Sequence, residues 1–370
     1  MKILQTPARF HPSVGGVENY VYNLSRGLVN LGHEVTVLCA DAGGNAGDVV
    51  EGVKVKRLGY VGKIANTNIT LNLPLELLKS NFDVIHTHLP TPWSADWSAL
   101  ASKMKDTPLV LTYHNDIIGS GISSHIAGVY NKSMLGFVLG RAEKIIITQP
   151  HYMESSPHLG RYKDKITVIP NGVDSKRFKP IEVDKPGNTL SFLSILDQYH
   201  EYKGLNYLLK ALKMVREEIP DIKLRVGGGG ELIDSYREMA ASLGLNDNVE
   251  FLGFISEENL VEFYNKSDIF LLPSISPAQE GFGIVLLEAL ACGKPVIATN
   301  IVGIADEIEG SNAGEIVKAK DEKSLAGAII RIMQDKELAG RMGGNGRRLV
   351  EEKYGWMKIA KMVEEVYRSI

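Results

Sequence analysis

The sequence is poor in cysteine and has no long apolar run, and both absences exclude classes of protein. Only two of its 370 residues are cysteine. Cys39 and Cys292 fall in different halves of the chain, so we expect neither a disulfide nor a cysteine metal site. No apolar run approaches the length that spans a bilayer. The segment before Pro7 is too short for a signal peptide, so we expect a cytoplasmic protein.

The chain also has no large excess of charge of either sign, because 41 basic residues stand against 44 acidic ones. No basic run interleaved with aromatic residues is present, so we expect no nucleic-acid partner. Residues 1–177 carry a net charge of +4 and the remainder carries −7. This asymmetry leaves two readings open: chance, or attraction of the first half to an anionic acceptor or to the inner membrane face.

Short apolar runs alternate with amphipathic stretches along the whole chain. In the first half this pattern predicts strands at 2–6, 34–39, 53–58, 84–87, 109–113, 144–148 and 166–169, and helices at 73–78, 95–105, 122–139 and 152–159. The second half repeats the alternation up to residue 321, after which it reads as helical with breaks near Gly343 to Gly346 and near Tyr354-Gly355. Such alternation predicts parallel sheets covered by helices, with ligands at the carboxyl ends of the strands.

The most informative stretch lies between Glu280 and Thr299. A short buried strand precedes it, Gly281 and Gly283 allow a tight turn, and an apolar helix follows at 284–291. A carboxylate inside such a helix, as at Glu288, is costly unless ribose hydroxyls, a lysine or a backbone amide hydrogen-bond to it. The alternative is a buried αβ unit with an incidental glutamate.

Glu280 and Glu288 in this context resemble the E-x7-E signature of the family 4 retaining glycosyltransferases, which are nucleotide-sugar enzymes of GT-B fold. The resemblance implies that Glu280 contacts the donor sugar and that Glu288 holds the ribose. It also implies a diphosphate contact at the turn and at the first amides of the helix, namely Phe282, Gly283, Ile284 and Val285.

Two motifs of the first half match the same family. Gly15-Gly16-Val17-Glu18 matches its Gly-Gly-x-Glu loop, which implies that Gly16 faces the donor phosphate and that Gly15 and Glu18 face the acceptor. A double glycine is otherwise a plain turn. Thr112-Tyr113-His114 matches its Thr-x-His motif, in which the imidazole reaches the donor sugar near the reacting carbon.

His86 and His88 lie two residues apart, so a strand places both imidazoles on one face. They could ligate a metal, but no third ligand stands at metal spacing. We expect them to line a cleft or to be structural, and we expect no metal site. The family resemblance likewise implies no cofactor beyond the nucleotide-sugar substrate and no obligatory metal.

The second half matches the family with one departure. Lys203-Gly204 matches the family's Lys-Gly, which implies a diphosphate contact, but Ser194-Ile195 stands where the family has Gly-Arg. His200 could supply the missing contact. Gly228 belongs to a four-glycine run that either lets the nucleotide approach or is a flexible turn. Phe254 follows a strand that matches one in the family. In the family, the backbone after that strand contacts the base of the nucleotide.

The sequence therefore predicts two Rossmann-like domains facing across a cleft. The acceptor-side domain comprises 1–177 with a final helix at 356–370, and the donor domain comprises 178–355, with Pro170-Asn171-Gly172-Val173-Asp174 resembling the family's hinge. The implied reaction moves a hexosyl group from a UDP- or GDP-sugar to an acceptor sugar, lipid or small alcohol, with retention. The alternatives are a GT-B phosphorylase, a nucleotide-sugar epimerase and an inactive binding protein. The helix at 122–139 is either a membrane contact or an ordinary sheet-covering helix.

Overall fold

The computed structural model of the chain describes residues 1–13, 15–41, 48–64, 67–117, 122–150, 152–184, 187–277 and 279–370. Two compact units divide it. The first unit comprises Met1–Gly172 and Trp356–Ile370, and the second unit comprises Val173–Gly355. The division falls between Gly172 and Val173, five residues before the boundary that we predict at 177.

The first unit is built around a sheet of short apolar strands. In chain order the strands of the first unit are β1 (Lys2–Thr6), β2 (Glu34–Ala40), β3 (Val49–Val50), β4 (Val53–Leu58), β5 (Gly62–Ile64), β6 (Thr67–Ile69), β7 (Val84–Leu89), β8 (Leu109–Tyr113), β9 (Lys144–Ile147) and β10 (Ile166–Val168). Among the strands that the structure describes, β5 and β6 pair only with each other. Its helices before the division are α1 (Gly16–Asn30), α2 (Leu73–Lys79), α3 (Pro92–Lys105), α4 (Ile122–Arg141) and α5 (Tyr152–Ser155).

All seven strands predicted in this half are present within two residues. The short strands β3, β5 and β6 are not predicted, because two or three residues are too few to show alternation. The helix predicted at 152–159 is wrong in length. It ends at Ser155, because Pro157 disfavours the helical conformation of the residue before it.

In the part of the chain that the structure describes, the sheet of the first unit has the order β10-β9-β8-β7-β1-β2-β4-β3. Its pairings are parallel except for β3 with β4. The order reverses between β1 and β7, which are hydrogen-bonded neighbours. A ligand site in such a sheet lies outside the carboxyl ends of the strands at this switch point.

The second unit repeats the scheme. Its strands are β11 (Thr189–Leu193), β12 (Lys223–Gly227), β13 (Val249–Gly253), β14 (Ile269–Leu272), β15 (Val296–Thr299) and β16 (Gly314–Val317). Its helices are α6 (Leu205–Glu218), α7 (Ile233–Ser242), α8 (Leu260–Asn265), α9 (Ile284–Ala291), α10 (Ala305–Gly310), α11 (Glu322–Gln334) and α12 (Lys336–Lys353).

These strands form a fully parallel sheet of order β13-β12-β11-β14-β15-β16. This is the doubly wound order of dinucleotide-binding folds, with its switch point between β11 and β14. Both faces are covered, so the strands read as continuous apolar runs such as Ile269–Leu272, in which every residue is buried.

The break predicted near Gly343 to Gly346 is wrong, because α12 runs without interruption from Lys336 to Lys353. Both glycines are buried where α12 packs against α9. A Cβ on Gly343 would lie 2.1 Å from the Gly293 carbonyl oxygen, and one on Gly346 would lie 2.4 Å from Leu290. They therefore permit close packing and do not end the helix. The break occurs earlier, at Asp335, whose carboxylate accepts from the Leu338 amide and caps α12.

The chain ends in the helix α13 (Trp356–Arg368), which packs against α1 in the first unit. Its start after Gly355 agrees with the predicted break at Tyr354-Gly355. Ala360 of α13 approaches Gly27 so closely that a Cβ on that glycine would lie 2.6 Å from the alanine methyl group. In the described part of the chain, no helix is both long and apolar enough to cross a membrane.

Candidate functional site

Lys203 and Glu280 meet at the switch point of the second unit. Lys203 follows the loop after β11, and Glu280 follows β14. The Lys203 Nζ lies 3.0 and 2.9 Å from the two carboxylate oxygens of Glu280. Glu280 is 2% exposed and the lysine side chain is 18% exposed. A buried ion pair of this kind needs good geometry and further hydrogen bonds to offset the cost of desolvation.

The backbone around Lys203 explains the Lys-Gly sequence. Gly204 has φ 80°, and a Cβ there would lie 2.0 Å from the Pro273 carbonyl oxygen. Only glycine lets the chain turn this close to the end of β14. The amide of Ile275 also donates to the Tyr202 carbonyl at 2.8 Å. The two loops are therefore joined through their backbones, which sets the distance between Lys203 and Glu280.

Ser274 completes the anchoring of Glu280, because its hydroxyl donates to Glu280 Oε2. Its own carbonyl accepts a hydrogen bond from the Thr299 hydroxyl at 2.7 Å. Burial by itself would lower the pKa of Lys203, but the Glu280 carboxylate outweighs burial and raises it above the usual value. Lys203 therefore remains cationic at neutral pH.

Helix α9 begins beside this ion pair. Gly283, its N-cap, has φ 83°, and a Cβ there would lie 2.7 Å from Val302. Among the residues that the structure describes, no carbonyl accepts from the Ile284 or Val285 amide, and both residues are half-buried. These amides and the positive end of the helix suit an anion. The Phe282 side chain packs edge-on against Tyr354 in the core, so its ring is turned into the protein.

Glu288 lies one turn further along α9. Its partner is the phenol of Tyr264, which donates to Glu288 Oε2 at 2.5 Å. Burial raises the pKa of Glu288 to about 7, and the hydrogen bond from Tyr264 offsets part of this rise. We expected ribose, a lysine or a backbone amide as the partner, and a tyrosine from α8 fills this place in the structure.

The four-glycine run after β12 packs against the loop that follows β11. Gly228 has φ 120°, and a Cβ there would lie 1.7 Å from the Ser194 carbonyl oxygen. A Cβ on Gly230 would likewise lie 2.1 Å from the Leu196 carbonyl oxygen. Gly228 and Gly230 are thus required by backbone packing within the protein. This reason differs from both predictions, which were approach of the nucleotide and a flexible turn. Phe254, after β13, is 75% exposed.

His200 is tied to its own loop. Its Nδ1 lies 2.7 Å from Asp197 Oδ1, which also accepts from the Tyr199 and His200 amides. Nδ1 therefore carries a proton, and a contact of this ring with a phosphate would have to use Nε2. Only the imidazolium form donates from both nitrogens.

In the first unit, the Gly15 loop holds a carboxylate that is already paired. Glu18 is buried in the first turn of α1, and its Oε1 accepts from Arg9 Nε at 2.9 Å. A Cβ on Gly15 would lie 2.2 Å from Glu18 Oε2, so glycine leaves room for this carboxylate. Gly16 has open space where a Cβ would stand. Sequence reasoning missed Arg9, since an isolated arginine in a loop carries no signal.

His114 follows β8 and contacts His88 of β7. His88 Nδ1 lies 3.3 Å from His114 Nε2, and Tyr20 meets the His114 ring edge-on. His86 and His88 stack with centroids 4.6 Å apart, which confirms that both imidazoles lie on one face. Within the described ranges, no group of three or more histidine, cysteine, aspartate or glutamate side chains is arranged to hold a metal ion.

Two family models match this chain. The model described as Glycosyltransferase Family 4 matches residues 14–177, and the model described as Glycosyl transferases group 1 matches residues 177–349. The chain belongs to the family 4 glycosyltransferases. It is a glycosyltransferase of GT-B fold, with one doubly wound domain in each unit.

Relatives in several organisms resemble this glycosyltransferase over nearly its whole length. A phosphatidyl-myo-inositol mannosyltransferase of Mycolicibacterium smegmatis is 29% identical, covering 96% of this chain and 90% of its own. The O-antigen chain mannosyltransferase C of Escherichia coli is 28% identical, covering 96% of this chain and 94% of its own. The structure of Anabaena Alr3699/HepE in complex with UDP matches with a TM-score of 0.81 at 19% identity, covering 100% of both chains.

The structure brings some predicted residues of the glycosyltransferase together. Lys203, Glu280 and the first amides of α9 lie side by side, whereas Glu18 and His114 belong to the first unit. The roles assigned to these residues in binding donor and acceptor remain predictions. Sequence reasoning did not find several side chains that are hydrogen-bonded to the residues it singled out: Gln5, Arg9, Tyr264 and Ser274.

Proposed function

We propose that this glycosyltransferase moves a hexosyl group from a nucleoside diphosphate sugar to an acceptor hydroxyl, with retention of the anomeric configuration. The observation that carries the proposal is the Lys203–Glu280 pair close to the start of α9, where no carbonyl of the described residues accepts from the Ile284 or Val285 amide. A cation and helix amides suit a leaving group whose negative charge grows as the glycosidic bond breaks.

Each group has a definite task in this proposal. The diphosphate lies against the amides of Ile284 and Val285 and draws the Lys203 ammonium toward it. Glu280 stays anchored by Ser274 and accepts hydrogen bonds from hydroxyls of the sugar, which orients the ring. Glu288 accepts from the ribose hydroxyls. Retention then follows from attack on the face from which the diphosphate leaves, with a phosphate oxygen taking the acceptor proton.

The first experiment identifies the donor and the reaction. A thermal-shift panel of UDP- and GDP-sugars selects a donor, because a ligand that binds only the folded state stabilises it by mass action. That donor is then incubated with candidate acceptors and the products are analysed by mass spectrometry. A new glycoside, with the anomeric coupling of the donor in its NMR spectrum, is the expected result. The matched control is Glu280→Gln, which keeps the side-chain shape and removes the charge.

The same experiment separates the alternatives. A phosphorylase would consume inorganic phosphate and form a sugar 1-phosphate, and an epimerase would return an isomerised nucleotide sugar without acceptor. A binding protein without activity would give a thermal shift and no product. Any of these three outcomes would contradict the proposal.

We also propose a peripheral contact with anionic membranes, made by the first unit. Leu71, Leu75 and Leu78 are exposed; Leu75 and Leu78 lie on one side of α2, and Leu71 lies just before the helix. Lys79 is exposed in the last turn of the same helix and pairs with Glu76. Exposed apolar side chains beside a lysine suit the interface of an anionic bilayer. The Mycolicibacterium relative is named for a phospholipid, phosphatidyl-myo-inositol, and this supports a lipid acceptor.

This surface differs from the segment that we predicted at 122–139. Helix α4 also exposes Ile126, Val129 and Met134, but with Lys132 as the only charged residue of its middle turns. Sedimentation with vesicles of phosphatidylglycerol or phosphatidylcholine tests the proposal. Leu75→Ser with Leu78→Ser should abolish binding to the anionic vesicles, whereas Val129→Ser should not. Binding that survives the α2 double variant would contradict it.

A further inference from the structure

Six side chains from four elements of the first unit form one hydrogen-bonded chain. They come from β1, β7, β8 with the residue that follows it, and α13: Gln5, His86, His88, Thr112, His114 and Tyr367. All are buried except His114, which is half-buried. A polar network in a low-dielectric interior is stable only when its protons and lone pairs are matched. Matching allows two arrangements of the protons, and the orientation of the Gln5 amide distinguishes them.

The contact between His88 and His114 links the tautomers of the two rings, so the position of the proton on one ring fixes its position on the other. Their rings are inclined by only 24° with centroids 5.6 Å apart, so they meet edge to edge, with 3.3 Å between His88 Nδ1 and His114 Nε2. One of these nitrogens donates and the other accepts. Burial lowers the pKa of His114 to about 3 and that of His88 well below its usual value. Both rings are therefore neutral near pH 7, and each carries one N–H.

Gln5 decides which nitrogen donates. Its carbonyl Oε1 lies 2.8 Å from His88 Nε2, and a carbonyl oxygen only accepts. His88 therefore carries its proton on Nε2, so its Nδ1 must accept from the Nε2–H of His114. The remaining nitrogen of His114, Nδ1, is left with a bare lone pair. Among the residues that the structure describes, none is hydrogen-bonded to it.

The other end of the chain orients the Gln5 amide. Gln5 Nε2 donates to the Tyr367 hydroxyl at 3.2 Å, and that hydroxyl lies 2.6 Å from His86 Nδ1. His86 Nε2 in turn lies 2.7 Å from Thr112 Oγ1. Each donor in this order meets an acceptor. A rotation of the Gln5 amide by half a turn would reverse every bond and would put a proton on Nδ1 of His114.

We propose that Gln5 is a positioning residue, which acts through His88 to hold His114 in the Nε2–H tautomer and so presents the Nδ1 lone pair to a hydroxyl of the bound sugar. This inference rests on the proposed function for the sugar, but the tautomer itself does not. A lone pair accepts from a hydroxyl and repels a carboxylate or phosphate oxygen. The site facing His114 should therefore take a neutral, hydroxyl-bearing part of the donor and reject an acidic sugar there.

Long-range nitrogen–proton NMR of histidine-labelled protein at pH 7 reads the tautomer directly, with His114 assigned by its loss in His114→Ala. We expect wild-type His114 to carry its proton on Nε2. In Gln5→Met, which keeps the length and removes the carbonyl, we expect the Nε2–H signature to be lost, and kcat/KM for transfer to fall about tenfold, the value of one hydrogen bond.

Thr6→Val is the matched control. It breaks another buried hydrogen bond at the end of β1, between Thr6 Oγ1 and Ser98 Oγ at 2.8 Å, and should leave the tautomer of His114 unchanged. The proposal is overturned if wild-type His114 carries its proton on Nδ1, or if Gln5→Met leaves the His114 signals unchanged. The wild-type spectrum decides even if the Gln5 variant does not fold. A protein that shows the expected tautomer but transfers no sugar would instead contradict the proposed function.

Discussion

Lys203 and Glu280 are 77 positions apart in the chain, yet the lysine ammonium lies within 3.0 Å of both oxygens of the glutamate. Their contact joins the two loops that flank the switch point of the second unit. The pair therefore has a structural role as well as the proposed catalytic one, and substitutions can separate the two.

We expect Lys203→Met to destabilise the protein and to abolish transfer. It leaves the Glu280 carboxylate buried without its cation, which typically costs about 3–5 kcal/mol. The double variant Lys203→Met with Glu280→Gln removes both charges, so it should regain most of the stability and none of the activity. Urea unfolding and a transfer assay measure the two effects. Equal stability of the single and double variants would show that the charges are not coupled.

Glu288 should make the stability of the protein fall as the pH rises. The folded state raises its pKa from 4.5 to about 7, so between these values the folded state binds the proton more tightly than the unfolded state. The stabilisation is complete below the lower pKa and is lost as the pH rises through the higher one, by about 3 kcal/mol in all. Glu288→Gln lacks this term. The free energies of unfolding of the two proteins should diverge with pH, and parallel curves would refute the prediction.

Nucleotide binding should release a proton from Glu288. With a pKa of about 7 its carboxyl group is half protonated at neutral pH, and hydrogen bonds from ribose hydroxyls favour the charged form. We expect a release of about half a proton per nucleotide at pH 7. Calorimetry in buffers of different ionisation enthalpy measures it, with Glu288→Gln as the control. A binding enthalpy that does not depend on the buffer would remove Glu288 from ribose recognition.

Two adjacent glycines of α12 should respond to alanine in opposite ways. Gly344 is exposed, and a Cβ there meets no atom within 4 Å, so Gly344→Ala should stabilise the helix by about 1 kcal/mol. Gly343→Ala would place its Cβ 2.1 Å from the Gly293 carbonyl oxygen and should destabilise by about 1–3 kcal/mol despite the same gain in helix propensity. Thermal unfolding of both variants tests this. A stabilised Gly343→Ala would show that α12 can move away from Gly293.

Much of the fold could be predicted from local pattern. Apolar runs located the longer strands, and the match of Glu280, Glu288, His114 and Lys203 to the family motifs indicated the family. Local pattern failed where the reason for a residue is a distant neighbour. Gly343 looked like a helix breaker because its partner, the Gly293 carbonyl, is fifty residues away. The helix predicted up to residue 159 ended early because of Pro157, a local signal that we did not weigh.

The amino-acid sequence by itself determined the alternation of strands and helices, because side-chain polarity and backbone preference act over a few residues. It also determined the family, because the motifs keep their order along the chain. Only the tertiary structure decided what each buried polar group contacts. Tyr264 with Glu288 and Gln5 with His88 are pairings made across separate elements, and no spacing in the chain encodes them. Their cause is the packing of whole elements, which buries a polar group and thereby requires a partner wherever the fold provides one.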